Sequence, residues 1–552
     1  MAENPERLTT RAAVSTGPRV ALASPGLNVI TGAPRRARVI DVVVGSLVAL
    51  VGTVLFVFAT RGGLGFSPDS VVYTDAARSI ASGHGYTRLV GETGREAIGA
   101  FPPLYSAALA PFDVVGLDVA TGARVLNGLL FVGTGILLYV LLLRLTGGSR
   151  VVATLGAGAF VLAEEIVALQ GALVSESLFL FLVVVFFLTL DAYLLRASRP
   201  LLVALGLVAA LAALTRYVGI ALVLSGAATL LLVGAGDRGR RARAAALFGA
   251  VALTPQVAWF VRNQVSDARS HQRFDVHPVR AEQVENGLGV VSDWFFPAPI
   301  PAALRILLFS LLAVTGLVAL LKLIRRARSS SWLELAAAQS RVITGIVLFA
   351  ASYVLVMVLS ISFVDADVEF SARHLTPLFV AVVVVVPVAA LRATQRQRLP
   401  RRILGAWFLG VLFLFAYQTT DQVVSEPVRE AGLTARGFSE SGLMETAART
   451  PATRTIYSNV PEAIYLNTGR RNAKTIPFEF DPNTREANPN FEAEARAMGA
   501  EIAAGRAVLL WWNARENRTF LPTTDELELL LPELRRSSAD GGEVFTVARP
   551  TG

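Results

Sequence analysis

The side chains best suited to chemistry in this chain stand at the ends of long apolar segments. Asp69 follows the first such segment and lies in the run Ser67-Pro68-Asp69-Ser70. A carboxylate at a membrane surface could act as a general base on a hydroxyl, or ligate a metal ion. It could equally cap the helix that the following residues predict, because Asp is a favoured N-cap residue. From the residues alone, both interpretations stay open.

Other carboxylates stand near or inside the apolar segments. Glu176 begins one segment, and Glu164 and Glu165 lie inside the segment before it. A carboxylate there is costly unless it faces a partner or a cavity. Glu176 could instead simply favour a helix N-terminus through the helix dipole. Asp75 lies six residues after Asp69, off its helical face, and is predicted to be solvated.

Cationic side chains occupy comparable positions. Arg216 separates two apolar segments, Arg262 follows another, and Arg373 with His374 precedes a fourth. A guanidinium can bind a phosphate through two parallel hydrogen bonds. The alternative is a snorkelling Arg that anchors the end of a membrane span. For Arg373, an ion pair with Glu369 four residues earlier on a helix is a further alternative.

Several kinds of reaction centre have no support in the sequence. The chain has no cysteine, which excludes thiolate metal sites and cysteine nucleophiles. Its four histidines are scattered and form no zinc-binding spacing. No phosphate-binding glycine motif and no GxSxG motif is present, so a nucleotide-driven reaction has no visible site. A divalent metal is neither required nor excluded.

The composition predicts a polytopic α-helical membrane protein. Of the 552 residues, 53% are hydrophobic and only 17% are charged, against about 25% charged in soluble domains. A helix needs about 20 apolar residues to cross the hydrocarbon core. On that basis we predict about eleven spans, near residues 39–59, 122–143, 151–169, 176–195, 200–215, 217–234, 244–261, 303–323, 342–363, 375–391 and 403–418.

The positions of Arg and Lys predict the orientation. Every alternate connection between the predicted spans is basic, which places those connections in the cytoplasm by the positive-inside rule. The N-terminus is then inside and the C-terminus outside. The net charge of +9 is therefore attributed to topology, and no nucleic-acid partner is expected. Asp69, Glu176, Arg216, Arg262 and Arg373 all fall on the outer face.

The chain divides into three predicted regions. Residues 1–37 are expected to be a disordered cytoplasmic tail, 38–418 the transmembrane module with a first outer loop at 60–121, and 419–552 a small extracytoplasmic α/β domain. In the last region, two buried strands are predicted at 455–458 and 507–512. Helices are predicted there at 461–466, 490–504 and 524–531.

The order of these motifs resembles the GT-C glycosyltransferases. The features that carry the likeness are Asp69 opening the first outer loop, Tyr73, Gly83-His84-Gly85-Tyr86, Pro102-Pro103-Leu104-Tyr105, Ser175-Glu176, Leu214-Thr215-Arg216-Tyr217 and Glu369…Arg373-His374. The branch with protein O-mannosyltransferases and lipid A aminoarabinose transferases, the family 39-like enzymes, is the most similar. The protein mannosyltransferases carry Asp-Glu where this chain has Asp69-Ser70, which puts a protein mannosyltransferase role in doubt.

The resemblance implies a GT-C fold and an inverting transfer of a sugar on the outer face of the cell membrane. The donor would be a polyprenyl-phosphate-linked sugar and the acceptor a glycan, lipid or protein. It further implies Asp69 as the catalytic base, which deprotonates or orients the acceptor hydroxyl, with Glu176 as the second catalytic candidate. The resemblance implies donor-phosphate contacts from Arg216, Arg262, Arg373 and His374, and acceptor or loop contacts from Tyr73, His84 and Tyr105. Some members of the class use a divalent metal.

Two other functions stay open as alternatives. A lipid or anion transporter would need polar, broken helices near the bilayer midplane and internal repeat symmetry. The sequence instead concentrates ionisable residues at the outer ends of the spans and shows no repeat. A non-catalytic envelope scaffold would use the C-terminal region as its working part.

Overall fold

A computed structural model gives the fold of the chain. It describes residues 35–90, 94–266, 268, 276–297, 300–301, 303–312, 314, 338–394, 398–425, 432–481, 484–513 and 518–547. The predicted tail before residue 35 and about half of the predicted span at 303–323 lie outside these residues.

Long apolar helices form the body of the molecule, a multi-pass membrane protein. Within the described residues, seven helices are long and apolar enough to cross a membrane. They are Arg35–Ala59, Val119–Leu145, Glu176–Arg196, Arg238–Val265, Ala338–Phe363, Ala372–Thr394 and Arg398–Ser425. An eighth crossing results if the helices Arg150–Leu162 and Glu164–Gln170, which meet at an angle of 58°, count as one span.

Three shorter apolar helices match the remaining predicted spans. They are Arg199–Thr215, Tyr217–Val233, which begins with a 3₁₀ turn, and Ala303–Leu312. All eleven predicted spans therefore fall on helices, the eighth only in part. Eleven crossings and their orientation stay predictions.

The helices pack around Val119–Leu145, which touches the first helix and both of the next two spans. Close approach is possible where side chains are small. A Cβ on Gly156 would lie 2.8 Å from the carbonyl oxygen of Val383. Only glycine therefore lets helix Arg150–Leu162 approach helix Ala372–Thr394 so closely at this point. On the outer surface of the bundle, Val42, Leu47 and Leu50 are exposed, as expected for side chains that face lipid.

Short elements cover one end of the bundle. Two helices, Pro68–Ala81 and Leu104–Val114, flank an antiparallel hairpin of strands Thr87–Val90 and Gly94–Ala97. The helix Ala281–Phe295 lies against Ala372–Thr394. The C-terminal region sits at this same end, which we call the sheet end.

The C-terminal region contains a five-stranded mixed sheet, whose strands and connecting helices (432–547) we call the C-terminal unit. The strands lie in the order Ala473–Thr475, Thr455–Ser458, Ala507–Trp512, Gly542–Val547 and Leu534–Ala539. The first three strands are parallel to one another. Gly542–Val547 is antiparallel to both of its neighbours, Ala507–Trp512 and Leu534–Ala539.

The C-terminal unit also contains helices, which pack around this sheet. They are Arg436–Ser439, Gly442–Arg449, Pro461–Thr468, Phe491–Ala503 and Thr524–Leu530. Both predicted strands and all three predicted helices are present. The preceding helix continues to Ser425, past the boundary predicted at 418.

Candidate active site

Asp69 is positioned by the start of helix Pro68–Ala81 but does not cap it. Ser67 is the N-cap residue, Pro68 occupies the first turn, and the backbone N–H of Ser67 donates to Ser70 Oγ at 2.9 Å. The carboxylate of Asp69 instead accepts a hydrogen bond from Arg373 Nη2 at 2.5 Å. The interpretation of Asp69 as the N-cap residue is therefore wrong. Its carboxylate is available to bind Arg373.

The chain just before Asp69 is tied to the segment that leads to Glu176. Gly65 N–H donates to Gly171 O at 3.0 Å, and Leu173 N–H donates to Gly65 O at 2.9 Å. Five residues after Gly65, Ser70 Oγ donates to Leu173 O at 2.8 Å. These bonds fix the helix that carries Asp69 against the start of helix Glu176–Arg196.

Glu176 lies at the centre of a buried charge cluster. Its side chain is only 2% exposed, and its Oε1 atom is bound by Arg216 Nη1 at 2.6 Å and by Arg373 Nε. Arg373 thus bridges two carboxylates, those of Glu176 and Asp69. The four side chains Asp69, Glu176, Arg216 and Arg373 carry no net charge together.

The accessible members of the cluster are Asp69 and Arg373. Their side chains are 28% and 30% exposed, whereas Arg216 is 18% exposed and Glu176 is nearly inaccessible. A ligand that approaches from the sheet end would therefore meet a carboxylate and a guanidinium side by side. Such a pair can accept a proton and bind an anion at neighbouring positions.

Local sequence explains how Arg373 is presented. Pro377 has no N–H to donate to the carbonyl of Arg373 four residues earlier, and Thr376 Oγ1 donates to that carbonyl at 2.9 Å instead. The ion pair between Glu369 and Arg373, one of the alternatives from the sequence, does not form. Glu369 accepts from Arg280 Nη2 at 2.8 Å, because helix Ala281–Phe295 packs beside this loop.

His374 is adjacent to the cluster, but its ring is held by the preceding loop. Its Nδ1 atom lies 2.8 Å from the carbonyl oxygen of Glu369 and 3.1 Å from Ser371 Oγ. Its backbone carbonyl accepts from Tyr353 OH at 2.7 Å. These contacts favour a role in shaping the loop around Arg373.

Tyr73 and Tyr105 form a buried aromatic support behind the cluster. Tyr73 OH donates to Ser175 Oγ at 2.9 Å, and Arg216 Nη1 lies 3.3 Å from the same hydroxyl oxygen. The two tyrosine rings pack edge to face with centroids 5.1 Å apart. Burial raises the pKa of both tyrosines, so both hydroxyls stay protonated and able to donate. With exposures of 2% and 0%, neither tyrosine is open to an acceptor.

Two further candidates lie away from the cluster. Arg262 donates to the backbone carbonyls of Ile98 and Tyr86, both at 2.7 Å, and its guanidinium lies 4.9 Å from the ring centroid of Trp259. It fastens the first loop to helix Arg238–Val265. His84 is exposed in the turn after helix Pro68–Ala81 and contacts Ser82 Oγ at 2.9 Å.

Asp75, predicted to be solvated, is buried with an exposure of 7%. It accepts from Tyr465 OH at 2.7 Å and pairs with Arg471 at 3.5 Å. Sequence periodicity missed these contacts, because both partners come from the C-terminal unit some 390 residues later.

Glu164 and Glu165 lie directly after a break in the predicted span at 151–169, and not within a continuous helix. The helix ends at Leu162 and restarts at Glu164, where Glu165 accepts from Trp294 Nε1 at 3.4 Å. Both glutamates line a cavity of about 240 Å³ together with Asp293 and Arg305. Within the described part of the chain, neither glutamate forms a hydrogen bond or ion pair with a member of the Asp69 cluster.

The described residues offer no cluster of ligands for a metal. Nowhere among them do three or more His, Cys, Asp or Glu side chains group so that they could hold an ion. Asp69 and Glu176, the carboxylates of the cluster, are each bound by arginine.

No protein-family model and no curated protein sequence matches the chain. Solved structures are similar to it at low identity. ArnT from Cupriavidus metallidurans bound to undecaprenyl phosphate is 15% identical, with a TM-score of 0.45 over 92% of this chain and 98% of that one. The arabinofuranosyltransferase AftD from Mycobacteria is 14% identical, with a TM-score of 0.48 over 92% of this chain and 40% of that one.

A third similar structure is the archaeal oligosaccharyltransferase AglB from Archaeoglobus fulgidus, in complex with an inhibitory peptide and a dolichol-phosphate. It is 13% identical, with a TM-score of 0.43 over 93% of this chain and 74% of that one.

Proposed function

We propose that this protein is a membrane glycosyltransferase that moves a sugar from a polyprenyl-phosphate-linked donor to an acceptor hydroxyl. The observation that carries the proposal is that Arg373 binds Asp69 and, at the same time, the buried Glu176. It combines a carboxylate able to take a proton with a guanidinium able to bind a phosphate, at the end of a membrane-embedded bundle where a lipid-linked donor can reach both.

In the proposed reaction, the acceptor oxygen attacks the anomeric carbon from the side opposite the phosphate. The new bond from carbon to acceptor oxygen forms as the bond from carbon to phosphate oxygen breaks, which inverts the anomeric centre. The acceptor proton passes to the carboxylate of Asp69. The electron pair of the broken bond leaves on polyprenyl phosphate, whose charge Arg373 stabilises.

The buried Glu176 has a different role from Asp69 in this proposal. With 2% exposure and two guanidinium partners, its carboxylate is suited to holding Arg216 and Arg373 in place. Arg373 is the donor-phosphate ligand supported best by its exposure, with Arg216 behind it. Arg262 and His374 are proposed to shape the site from outside, because their side chains bind residues of the loops.

The remaining parts of the proposal concern place and partners. We infer eleven crossings with the N-terminus inside, a tail at 1–37, a transmembrane module at 38–418 and an extracytoplasmic region at 419–552. The reaction would then take place on the outer face of the cell membrane. Among the described residues no three His, Cys, Asp or Glu side chains group around a possible ion, and no step of the proposed reaction is assigned to a metal.

The test uses purified protein in detergent with a mixture of polyprenyl-phosphate sugars. Release of polyprenyl phosphate is followed for the wild type, for Asp69→Asn and for Glu96→Gln, a control that alters an exposed carboxylate of the same loop. We expect release by the wild type and the control, and a loss of about 100-fold or more in Asp69→Asn. Equal release by all three would move the base elsewhere.

One observation favours the transporter alternative. The span that breaks at Ala163 exposes Glu164 and Glu165 to a cavity, and transporters use broken helices and intramembrane carboxylates. The same assay discriminates the two functions. A folded wild-type protein that releases no polyprenyl phosphate from any donor would favour transport, which reconstituted vesicles then measure.

A further inference from the structure

We propose that the C-terminal unit is a clamp that positions Asp69 against Arg373. It would do so by binding the two chain segments that carry these residues, through Tyr465 and Arg471 on one side and Arg485 on the other. The inference rests on the proposed function, and it assigns positioning residues for that reaction.

The first anchor is a network of three residues, in which Tyr465 and Arg471 of the C-terminal unit bind Asp75 of helix Pro68–Ala81. Tyr465 OH donates to Asp75 Oδ1 at 2.7 Å, and Arg471 pairs with Asp75 Oδ2 at 3.5 Å. Arg471 also donates to Tyr465 OH at 2.8 Å and lies 4.7 Å from the centroid of its ring. Each member therefore contacts the other two. Burial and the neighbouring Asp75 raise the pKa of Tyr465 to about 12, so its hydroxyl remains a donor.

The second anchor holds the loop before Arg373. Arg485 Nη2 donates to Asp367 Oδ1 at 2.5 Å. Arg485 adopts a φ of 55°, a left-handed conformation that is costly for a residue with a side chain, and its own N–H donates to Asp481 O at 2.7 Å. The guanidinium of Arg485 therefore starts from a fixed backbone and binds the loop at Asp367.

A third contact joins the unit to the chain just before Asp69. Leu433 N–H donates to Phe66 O at 2.8 Å, and Phe66 packs on the apolar cluster of the C-terminal unit. Gly432 approaches so closely that a Cβ there would lie 2.6 Å from Phe66 N. The main chain of the unit therefore touches the main chain of the site.

The anchors flank the reaction centre in sequence. Asp75 lies six residues after Asp69 on one helix, about 9 Å along its axis, and Asp367 lies six residues before Arg373. The unit binds both segments while none of its anchor residues touches Asp69 or Arg373. A shift of the unit would therefore change the separation of the base and the phosphate ligand, and displacements of about 1 Å can cost 100-fold in rate.

The experiment compares Tyr465→Phe, Arg485→Gln and the double variant with Arg496→Gln. Arg496 forms an exposed ion pair with Glu492 on the same unit, so its variant controls for the loss of a charge there. Arg485→Lys tests rescue, since it keeps the charge. Two quantities are measured in the full-length protein: hydrogen exchange at 68–81 and 365–371, and the kcat and donor KM of polyprenyl phosphate release.

We expect faster exchange in both segments of the double variant and a kcat lower by about 10-fold in each single variant and 100-fold in the double variant. Donor KM should stay within about twofold, and Arg485→Lys should recover most of the lost kcat. The control should match the wild type. Unchanged exchange in the double variant would overturn the clamp itself.

Faster exchange with an unchanged kcat would overturn the positioning role while leaving the proposed function intact. A wild-type protein without any release would instead overturn the proposed function, and the positioning role with it. The exchange data would still decide whether the unit holds the two segments.

Discussion

Glu176 shows how the cost of burying charge organises the site. A carboxylate with 2% exposure is stable only with close partners, and it has two guanidinium groups. The same cost made it recognisable in the sequence, because Glu, Arg and Asp at the ends of apolar spans are rare without a partner. Residue type and position were therefore enough to select all four members of the cluster.

Replacing Glu176 by Gln should destabilise the protein. The change leaves Arg216 and Arg373 close together without their shared counter-ion, and breaking a buried pair costs about 3 kcal/mol. We expect a clearly lower thermal midpoint of the detergent-solubilised protein. Asp69→Asn, at a more exposed position, should change the midpoint far less. Equal midpoints for wild type and Glu176→Gln would contradict the cluster.

The pairing of these residues could not be predicted in the same way. The rule for neighbours on a helix favours Glu369 as the partner of Arg373, yet the two partners found lie 197 and 304 residues away. The prediction of a solvated Asp75 is wrong for the same reason, since its partners are on the C-terminal unit. Local periodicity carries no information on contacts that only the packed chain creates.

At the scale of elements, the positions of long helices followed from apolar length, but their breaks did not. The sequence predicts one continuous span at 151–169, whereas the helix breaks at Ala163 without proline or glycine at that residue. Ala163 has extended backbone, with φ −74° and ψ 123°. A hydropathy pattern does not register such a break.

Arg262 illustrates how an element is fastened by one side chain. It donates two hydrogen bonds to backbone carbonyls of the first loop. We expect Arg262→Gln to speed hydrogen exchange at 86–98, and Arg262→Lys to restore protection only in part, because an ammonium lacks the planar fork. A large rise in donor KM with unchanged exchange would instead indicate direct binding of the donor phosphate.

At the scale of the whole molecule, alternation of basic loops predicts the orientation. The absence of cysteine makes this testable by labelling, since any introduced thiol is unique. Glu492→Cys on the C-terminal unit should react with a membrane-impermeant maleimide on intact cells. Arg240→Cys, on the connection between two predicted spans, should react only after lysis. Labelling of position 240 in intact cells would contradict the orientation.

The hydrophobic pattern of the sequence predicts some strands of the five-stranded sheet but not all of them. The strands at 455–458 and 507–512 were recognisable as short apolar runs, and they are the two inner parallel strands. The antiparallel strands Leu534–Ala539 and Gly542–Val547 alternate too weakly to stand out. The C-terminal unit contacts the helix of Asp69 through Tyr465 and Arg471, two side chains with no local signature in the sequence.

The central claim is that Arg373 binds the donor phosphate beside Asp69, which acts as the base. The most direct measurement is the affinity of the purified protein for polyprenyl phosphate, together with its release from the donor, in Asp69→Asn and Arg373→Gln. Because Asp69 competes with a phosphate for Arg373, Asp69→Asn should bind polyprenyl phosphate at least as tightly as the wild type while losing release. Arg373→Gln should lose both. Binding unchanged in Arg373→Gln, or wild-type release by Asp69→Asn, would contradict the claim.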